Sequence, residues 1–177
     1  MSKAQPTLSG PRLLLRPGVD EDAADLHRIR GEESVGTWWG VAHSAADEIA
    51  AELRGESEEV LFVIEVDGEI AGSIQYLEEN EPDYRQAGID IYLSERFQGR
   101  GLGTEAIALL AAYLIDERGH HRLTIDPAVA NPAAIRSYER VGFRPVGVMR
   151  QYERAPDGTW RDGLLMDILA AELVRAG

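Results

Sequence analysis

Residues 96–104, RFQGRGLGT, place three glycines within five positions between two strongly patterned segments. The preceding segment, AGIDIYLS (87–94), alternates in polarity and predicts a strand, with Ile89, Ile91 and Leu93 on one face. The following segment, EAIALLAAYLI, predicts a buried helix. Glycine is unfavourable in regular structure, so a cluster of glycines indicates a loop whose backbone must closely approach another group.

This loop matches neither of two common phosphate-binding motifs. The nucleoside-triphosphatase loop requires lysine and a hydroxyl residue after its last glycine, but Thr104 and Glu105 follow here. The dinucleotide-binding motif requires a glycine where Thr104 stands. The remaining pattern has Gln98, Gly101 and Gly103 between a strand and a helix.

Backbone N–H groups in such a loop, at the positive end of a helix, can bind a pyrophosphate. Arg96 and Arg100 are placed to add charged hydrogen bonds. The alternative is a tight strand-to-helix turn without a ligand.

Outward from the loop, the pattern predicts a mixed α/β fold in a single domain, residues 1–177. Asp67-Gly68 between two β-rich runs predicts a hairpin with a type I′ turn. Helices are expected at about 20–30, from Ser44 or Asp47 to about 53, after the glycine loop to about 117, and after Asn131; residues 36–44 are expected to be irregular. Strands are expected at 12–17, 59–66, 69–77, 87–94, 121–128, 144–154 and 160–169.

The charge distribution restricts the class of partner. The net charge is −13, and all of the excess lies in residues 1–90, because acidic and basic residues balance in 91–177. Such a field disfavours nucleic acid and favours a cationic partner, although surface acids also serve solubility. The chain has no cysteine, which excludes disulfides, thiolate zinc sites and a cysteinyl acyl-enzyme. With no apolar run of membrane-spanning length and no secretory leader pattern, we expect a cytoplasmic protein without membrane association.

Two motifs together resemble the GNAT superfamily of acetyl-CoA-dependent N-acetyltransferases. They are the strand–QGRGLG–helix unit and the later NPAAIRSYERVGF (131–143). The resemblance implies the GNAT fold, a central mixed and mostly antiparallel twisted sheet of about seven strands flanked by helices. It also implies that acetyl-CoA is the cosubstrate, with the pyrophosphate on the loop, the pantetheine arm along the 91–93 backbone, and Asn131 and Tyr138 facing the cofactor. The implied cofactor-binding residues are Ile91, Tyr92, Leu93, Gln98, Gly99, Arg100, Gly101, Leu102, Gly103, Thr104, Asn131 and Tyr138.

Acetyl transfer to an amine requires removal of the amine's proton, stabilisation of the carbonyl oxygen and protonation of the departing thiolate. Strand interiors disfavour aspartate, so Asp90 and Asp126, each in a predicted strand, require an explanation. Both are expected at the reaction cleft as substrate-binding and proton-accepting groups. Asp126 precedes Pro127, so an Asx turn is the competing interpretation for it. The resemblance gives Tyr138 the role of thiolate acid; otherwise it is a core tyrosine. Without a cysteine, direct attack in a ternary complex is the simplest route.

Further details resemble the aminoglycoside 6′-N-acetyltransferases: GID at 88–90, IDP at 125–127, N-x-x-A-I-x-x-Y-E from Asn131, and Trp38-Trp39 before a glycine. This likeness implies that Asp90 and Asp126 bind the aminoglycoside amine and that Trp38 or Trp39 lines the sugar site, the other tryptophan being packing. The beginning and end of the chain instead resemble enzymes that acetylate protein N-termini, and siderophore lysine N-acyltransferases share the aspartate-containing strands. Other polyamines and a non-catalytic CoA-binding sensor also stay open.

His120 and His121 are adjacent and lack a nearby third ligand, so we assign no metal site and expect surface or loop histidines. The sequence does not determine the oligomeric state.

Overall fold

The computed structural model describes residues 4–39 and 45–175. The strands are β1 (Leu8–Ser9), β2 (Leu14–Pro17), β3 (Val60–Val66), β4 (Glu69–Glu79), β5 (Gln86–Leu93), β6 (Arg122–Ile125), β7 (Arg144–Arg154) and β8 (Trp160–Leu169). The helices are α1 (Ala23–Arg30), α2 (Glu33–Trp39), α3 (Ala46–Leu53), α4 (Leu102–Asp116) and α5 (Pro132–Val141).

The strands form one sheet in the order β1-β2-β3-β4-β5-β6-β8-β7, in which only β5 and β6 run parallel among the described residues. The predicted mixed, mostly antiparallel sheet is therefore confirmed, with eight strands in place of about seven. The added strand is the two-residue β1, which pairs with β2 and is too short to leave a periodic signal. The predicted hairpin is also present: Asp67 and Gly68 have φ angles of 51° and 79°, as a type I′ turn requires.

Helices cover both faces of the sheet. The alternation of side chains along β3 sends Phe62 and Ile64 into the core beneath α4, and Leu61 and Val63 into a smaller core beneath α1 and α3. Each face thus buries its own apolar stripe, which fixes the register of the central strands.

The pairing of β5 with β6 ends early. It comprises Ala87 with Leu123 and Gly88 with Thr124. Beyond this point β5 continues to Leu93 along β4, whereas β6 ends at Ile125 and pairs with β8. Within the described residues, Ile89–Leu93 thus have no strand partner on the β6 side, and a cleft opens there.

In the first third of the chain one sequence prediction was wrong and a second is refined. Residues 36–39 were expected to be irregular, but they complete α2, where Val35 and Trp39 pack into the smaller core. The helix expected from 20 begins as a 3-10 turn (Asp20–Asp22) before α1. Its Asp22 is buried, not solvated, because it accepts two hydrogen bonds from Arg16 at 2.9 and 3.0 Å. Residues 40–44, including the proposed cap Ser44, lie outside the described residues.

A partly buried ion pair connects β4 to the segment after α4, away from the cleft. Glu78 of β4 accepts hydrogen bonds from Arg118 at 3.0 and 2.8 Å, and its Oε1 lies 2.8 Å from Nε2 of the buried His120. The Arg118 hydrogen bonds lower the pKa of Glu78 to about 2.

We expect Glu78→Gln to reduce the free energy of unfolding at pH 7 by about 1–3 kcal/mol, because it breaks this charged hydrogen bond. Since the folded-state pKa lies below the unfolded value of 4.5, the wild-type advantage is complete above that value and is lost as the pH falls toward 2. Urea denaturation of both proteins at pH 7, 5 and 3.5 measures the difference. Glu81→Gln, in the exposed turn after β4, is the control; an equal effect of the two substitutions would contradict the assignment.

Candidate active site

A cleft of about 710 Å³ lies where β5 and β6 diverge. Its walls come from the C-terminal half of α2, the outer edge of β5, the glycine loop with the start of α4, the segment after β6, and α5. All the sequence-predicted site residues except Arg96 and Arg100 line this cleft: Trp38, Trp39, Asp90, Ile91, Tyr92, Leu93, Gln98, Gly99, Gly101, Leu102, Gly103, Thr104, Asp126, Asn131 and Tyr138.

The glycine loop presents backbone N–H groups to the cleft. Gly101 is the N-cap of α4 in the left-handed conformation, with φ 75°, which only glycine adopts readily. The first intrahelical bond runs from the Glu105 N–H to the Gly101 carbonyl. The N–H groups of Leu102, Gly103 and Thr104 therefore have no acceptor within the helix, and they form a cradle suited to an anion.

Arg12, which the sequence analysis missed, braces this cradle. Its backbone N–H and Nε donate to the two carboxylate oxygens of Glu105 at 2.8 and 2.7 Å, and Nη1 donates to the Arg100 carbonyl at 2.8 Å. Gln98 braces the other side, because its Nε2 donates to the Leu93 carbonyl at 2.9 Å and to the Ser34 hydroxyl at 3.2 Å. The contacts span 88 to 93 residues for Arg12 and 64 for Ser34, so no local sequence signal could have identified either residue.

The two loop arginines do not supply the predicted charge. Arg96 pairs with Glu69 at 3.1 Å, and the Arg100 guanidinium stacks on Phe97 at 5.6 Å, outside the described lining of the cleft. The basic side chain in the described lining is that of Arg140 on α5.

Opposite the loop, Asn131 and Tyr138 line the cleft from α5. Asn131 Oδ1 caps the helix by accepting from the Ala134 N–H at 3.3 Å, which leaves its amide group available as a donor. Tyr138 is half-buried, and burial together with the charges of Asp90 and Asp126 raises the pKa of its hydroxyl well above the ordinary value. This hydroxyl is thus protonated at neutral pH.

Asp90 projects from β5 into the cleft, where solvent reaches it although protein groups surround it on most sides. Burial, followed by the negative charges of Asp126, Glu59 and Glu153, raises the pKa of Asp90 to about 7. A carboxylate with this pKa can accept a proton at neutral pH.

Asp126 faces the same space from the end of β6 and accepts a hydrogen bond from the Tyr152 hydroxyl at 2.6 Å. Burial raises the pKa of Asp126, while the Tyr152 hydrogen bond opposes this effect. The segment after β6 is fixed to β8, since the Leu164 N–H donates to the Pro127 carbonyl at 2.8 Å. Sequence patterns did not identify Tyr152, which is separated from Asp126 by 26 residues.

The two adjacent tryptophans have different surroundings. Trp39 packs edge-on against Tyr92 with ring centroids 4.7 Å apart, as part of the smaller core. Trp38 lies under the Arg161 guanidinium at 5.2 Å. Trp38 is accordingly the better candidate for a ligand-stacking wall, and Trp39 for packing.

Arg161 joins two parts of the cleft wall, the end of α2 and Glu153 of β7. Its Nη1 and Nη2 donate to the Thr37 and Trp38 carbonyls at the end of α2, at 2.6 and 3.1 Å. Its Nε donates to Glu153 at 2.8 Å, and Glu153 also lines the cleft. Sequence analysis missed both residues, because the contacts to α2 are 123 and 124 residues apart.

His120 is in a loop as expected, but it is buried against Glu78, away from the cleft lining. Among residues 4–39 and 45–175, no group of three or more His, Cys, Asp or Glu side chains is arranged to hold a metal ion. No helix of the described ranges is both long and apolar enough to cross a membrane.

Comparison with known proteins assigns chemistry to this cleft. The profile of the acetyltransferase (GNAT) domain matches residues 12–144. Over 158 residues the chain is 30% identical to spermidine N(1)-acetyltransferase of Escherichia coli strain K12, covering 87% of this chain and 84% of that protein. It is 26% identical to aminoglycoside N(6′)-acetyltransferase type 1 of Klebsiella pneumoniae, covering 86% and 82%. The structure of Mycobacterium smegmatis RimJ in complex with CoA-disulfide superposes with a TM-score of 0.85 at 27% identity, covering 97% and 90%.

The electrostatic coupling of the two aspartates is directly measurable. We expect Asp126→Asn to lower the pKa of Asp90 from about 7, because the substitution removes a neighbouring negative charge. Carboxyl carbon NMR titration of both proteins measures the change, with Asp83→Asn in an exposed turn as the control. An Asp90 that titrates at its ordinary value in the wild type would contradict the geometry described above.

Proposed function

The chain belongs to the GNAT family of acetyl-CoA-dependent N-acetyltransferases, and on this premise we propose that its acceptor is the 6′-amine of an aminoglycoside. Acetyl-CoA supplies the acetyl group as an activated thioester. The observation that carries the proposal is the convergence of Asp90, Asp126 and Glu153 with Trp38 in one cleft beside the glycine loop.

The residues of the cleft fit coenzyme A. The N–H groups of the loop, residues 98–104, would hold the diphosphate, and Arg140 would supply the cation that Arg100 does not. The unpaired edge of β5 at Ile91–Leu93 offers backbone groups to an extended amide-containing arm, and the Asn131 amide would donate to that arm from the opposite wall.

The acidic groups would handle the acceptor. A primary amine is mostly protonated at neutral pH, so Asp126 and Glu153 would attract its ammonium. Asp90, with a pKa of about 7, would then take the proton and expose the lone pair for direct attack. Because the chain has no cysteine, this attack needs no acyl-enzyme.

Tyr138 would donate a proton to the leaving sulfur, and the proton that the acylated nitrogen loses as the amide forms would restore the phenol. Its raised pKa keeps the hydroxyl protonated before transfer, and its position on α5 places it on the cleft wall with Asn131. The backbone N–H groups of β5 are candidates for stabilising the carbonyl oxygen.

Several features favour an aminoglycoside. An aminoglycoside is a polycation with sugar rings, so it would use both the acidic groups and the flat face of Trp38. The Klebsiella pneumoniae relative, named for 6′-acetylation of aminoglycosides, supports this choice. A polyamine is the second candidate, favoured by the 30% identity to the spermidine enzyme.

A thiol-release assay with acetyl-CoA tests the acceptor. We expect turnover with tobramycin and kanamycin, and none with an aminoglycoside that carries a 6′-hydroxyl in place of the amine. Asp90→Asn should lower kcat/KM for tobramycin by about 100-fold or more, because the base is lost, while Asp83→Asn should not change it.

Other outcomes replace the aminoglycoside assignment. Faster turnover with spermidine would make the protein a polyamine acetyltransferase, and faster turnover with a peptide amino terminus would make it a protein N-terminal acetyltransferase. Binding of coenzyme A without thiol release from any amine would favour a sensor.

The diphosphate cradle has its own test. We expect Gly101→Ala to weaken coenzyme A binding by about tenfold or more, since it strains a residue at φ 75° and brings a Cβ within 3.3 Å of Arg12. Gly55→Ala is the matched control, with φ 72° and no atom near its Cβ. Isothermal titration calorimetry gives the affinity and urea denaturation gives the stability. Equal affinities for the two variants would place the diphosphate elsewhere.

A further inference from the structure

The hydrogen bond between Tyr152 and Asp126 links two strands that are not neighbours. Tyr152 belongs to β7 at the edge of the sheet, and Asp126 directly follows β6, with β8 between them. Their 2.6 Å contact therefore requires the tyrosine side chain to reach across β8.

An irregularity in β7 accompanies this reach. The register between β7 and β8 shifts between Met149 and Glu153, and Gln151 has a φ of 49°, which is unfavourable for a residue with a side chain. The Gln151 N–H donates to Asp162 Oδ1 at 2.8 Å, which stabilises the strained residue next to Tyr152.

Gly163 provides the space for the aromatic ring. A Cβ at this position would lie 2.7 Å from Tyr152 Cδ1 and 3.3 Å from Cγ. The Tyr152 ring thus packs directly on the Gly163 backbone, and a larger residue at position 163 would displace the ring.

The same stretch of β8 also fixes Asp126. The Val129 N–H donates to the Asp162 carbonyl at 3.0 Å, Ala128 forms a bridge with Gly163, and the Leu164 N–H donates to the Pro127 carbonyl. Both partners of the Tyr152–Asp126 hydrogen bond are consequently attached to residues 162–164, so their relative position is well defined.

The groups that face Asp126 make this hydrogen bond electrostatically important. Asp90 comes from β5, Glu153 from β7 and Tyr138 from α5, and the Arg161 guanidinium is already engaged by Glu153 and the end of α2. Tyr152 of β7 is the side chain that donates a hydrogen bond directly to the Asp126 carboxylate. The hydrogen bond from Tyr152 to Asp126 is also the main reason that the pKa of Tyr152 is raised, so the phenol is a donor throughout the neutral range.

We propose that Tyr152 is a positioning residue that holds Asp126 as the anion that binds the acceptor's ammonium and leaves the proton transfer to Asp90. The proposal rests on the proposed function of the cleft. In this proposal Asp126 binds the ammonium and Asp90 accepts its proton, although both residues are aspartates of the same cleft. Removing the phenol hydroxyl would allow the two to share a proton in the neutral range.

Tyr152→Phe tests this division, because it removes one oxygen from a half-exposed side chain and keeps the ring over Gly163. Without acceptor, carboxyl carbon NMR should show the pKa of Asp126 rising by about one pH unit. With tobramycin, we expect KM near pH 7 to rise about tenfold, kcat at the optimum to change less than about twofold, and the acidic limb of the kcat/KM profile to move to higher pH. Tyr84→Phe, on a 74% exposed tyrosine, is the matched control.

A second variant separates position from packing. Asp162→Ala keeps the phenol but removes the acceptor for the Gln151 N–H, so it should change KM and the pH profile in the same direction as Tyr152→Phe, by a smaller factor. An unchanged Asp126 titration together with an unchanged pH profile in Tyr152→Phe would overturn the proposal. If the wild type acetylates no amine, the proposed function fails, whereas the NMR titration still decides whether Tyr152 controls Asp126.

Discussion

The early end of the pairing between β5 and β6 is the constraint on which the site depends. Two residue pairs hold these parallel strands together, after which β5 follows β4 and β6 follows β8. The resulting wedge exposes the edge of β5, brings the start of α4 to one wall, and places the ends of both strands at the same opening. In the register of the two existing pairs, continued pairing would place Asp90 directly beside Asp126 as its cross-strand neighbour, whereas the divergence of the strands opens the cleft that both residues line.

Carboxylates have different neighbours in the scaffold and in the cleft. In the scaffold, carboxylates meet arginines closely: Asp22 with Arg16, Glu52 with Arg30, and Glu78 with Arg118. The hydrogen bonds from Arg118 lower the pKa of Glu78. In the cleft, Asp90 and Asp126 instead face each other, and burial together with the neighbouring negative charges raises the pKa of Asp90. The paired charges of the scaffold stabilise the fold that holds this locally unfavourable arrangement in place.

The two halves of the cleft are built by different kinds of contact. The cradle is mostly local, formed by one strand, one loop and one helix within residues 86–116, with Arg12 and Ser34 as remote braces. The acceptor half is assembled by long-range contacts, with Arg161 joining β8 to α2 and Tyr152 joining β7 to the end of β6. The two parts of the cleft wall therefore depend on different segments of the chain, since the β7–β8 hairpin lies outside the residues that form the cradle.

The sequence by itself determined the features that depend on local geometry. Alternation and turn chemistry predicted the hairpin at Asp67-Gly68, the glycine pattern predicted the loop between β5 and α4, and Asn131 was predicted as a helix cap. It also marked Asp90 and Asp126 as unusual, because a strand that is otherwise apolar rarely carries aspartate. Only the tertiary structure determined the partners of the charged groups. Arg96 and Arg100 contact Glu69 and Phe97 outside the cleft lining. Arg161 and Tyr152 contact the cleft residues Glu153 and Asp126. The physical reason is that a side chain's pKa and role are set by the groups within a few ångströms, and here those groups are separated by as many as 124 residues along the chain.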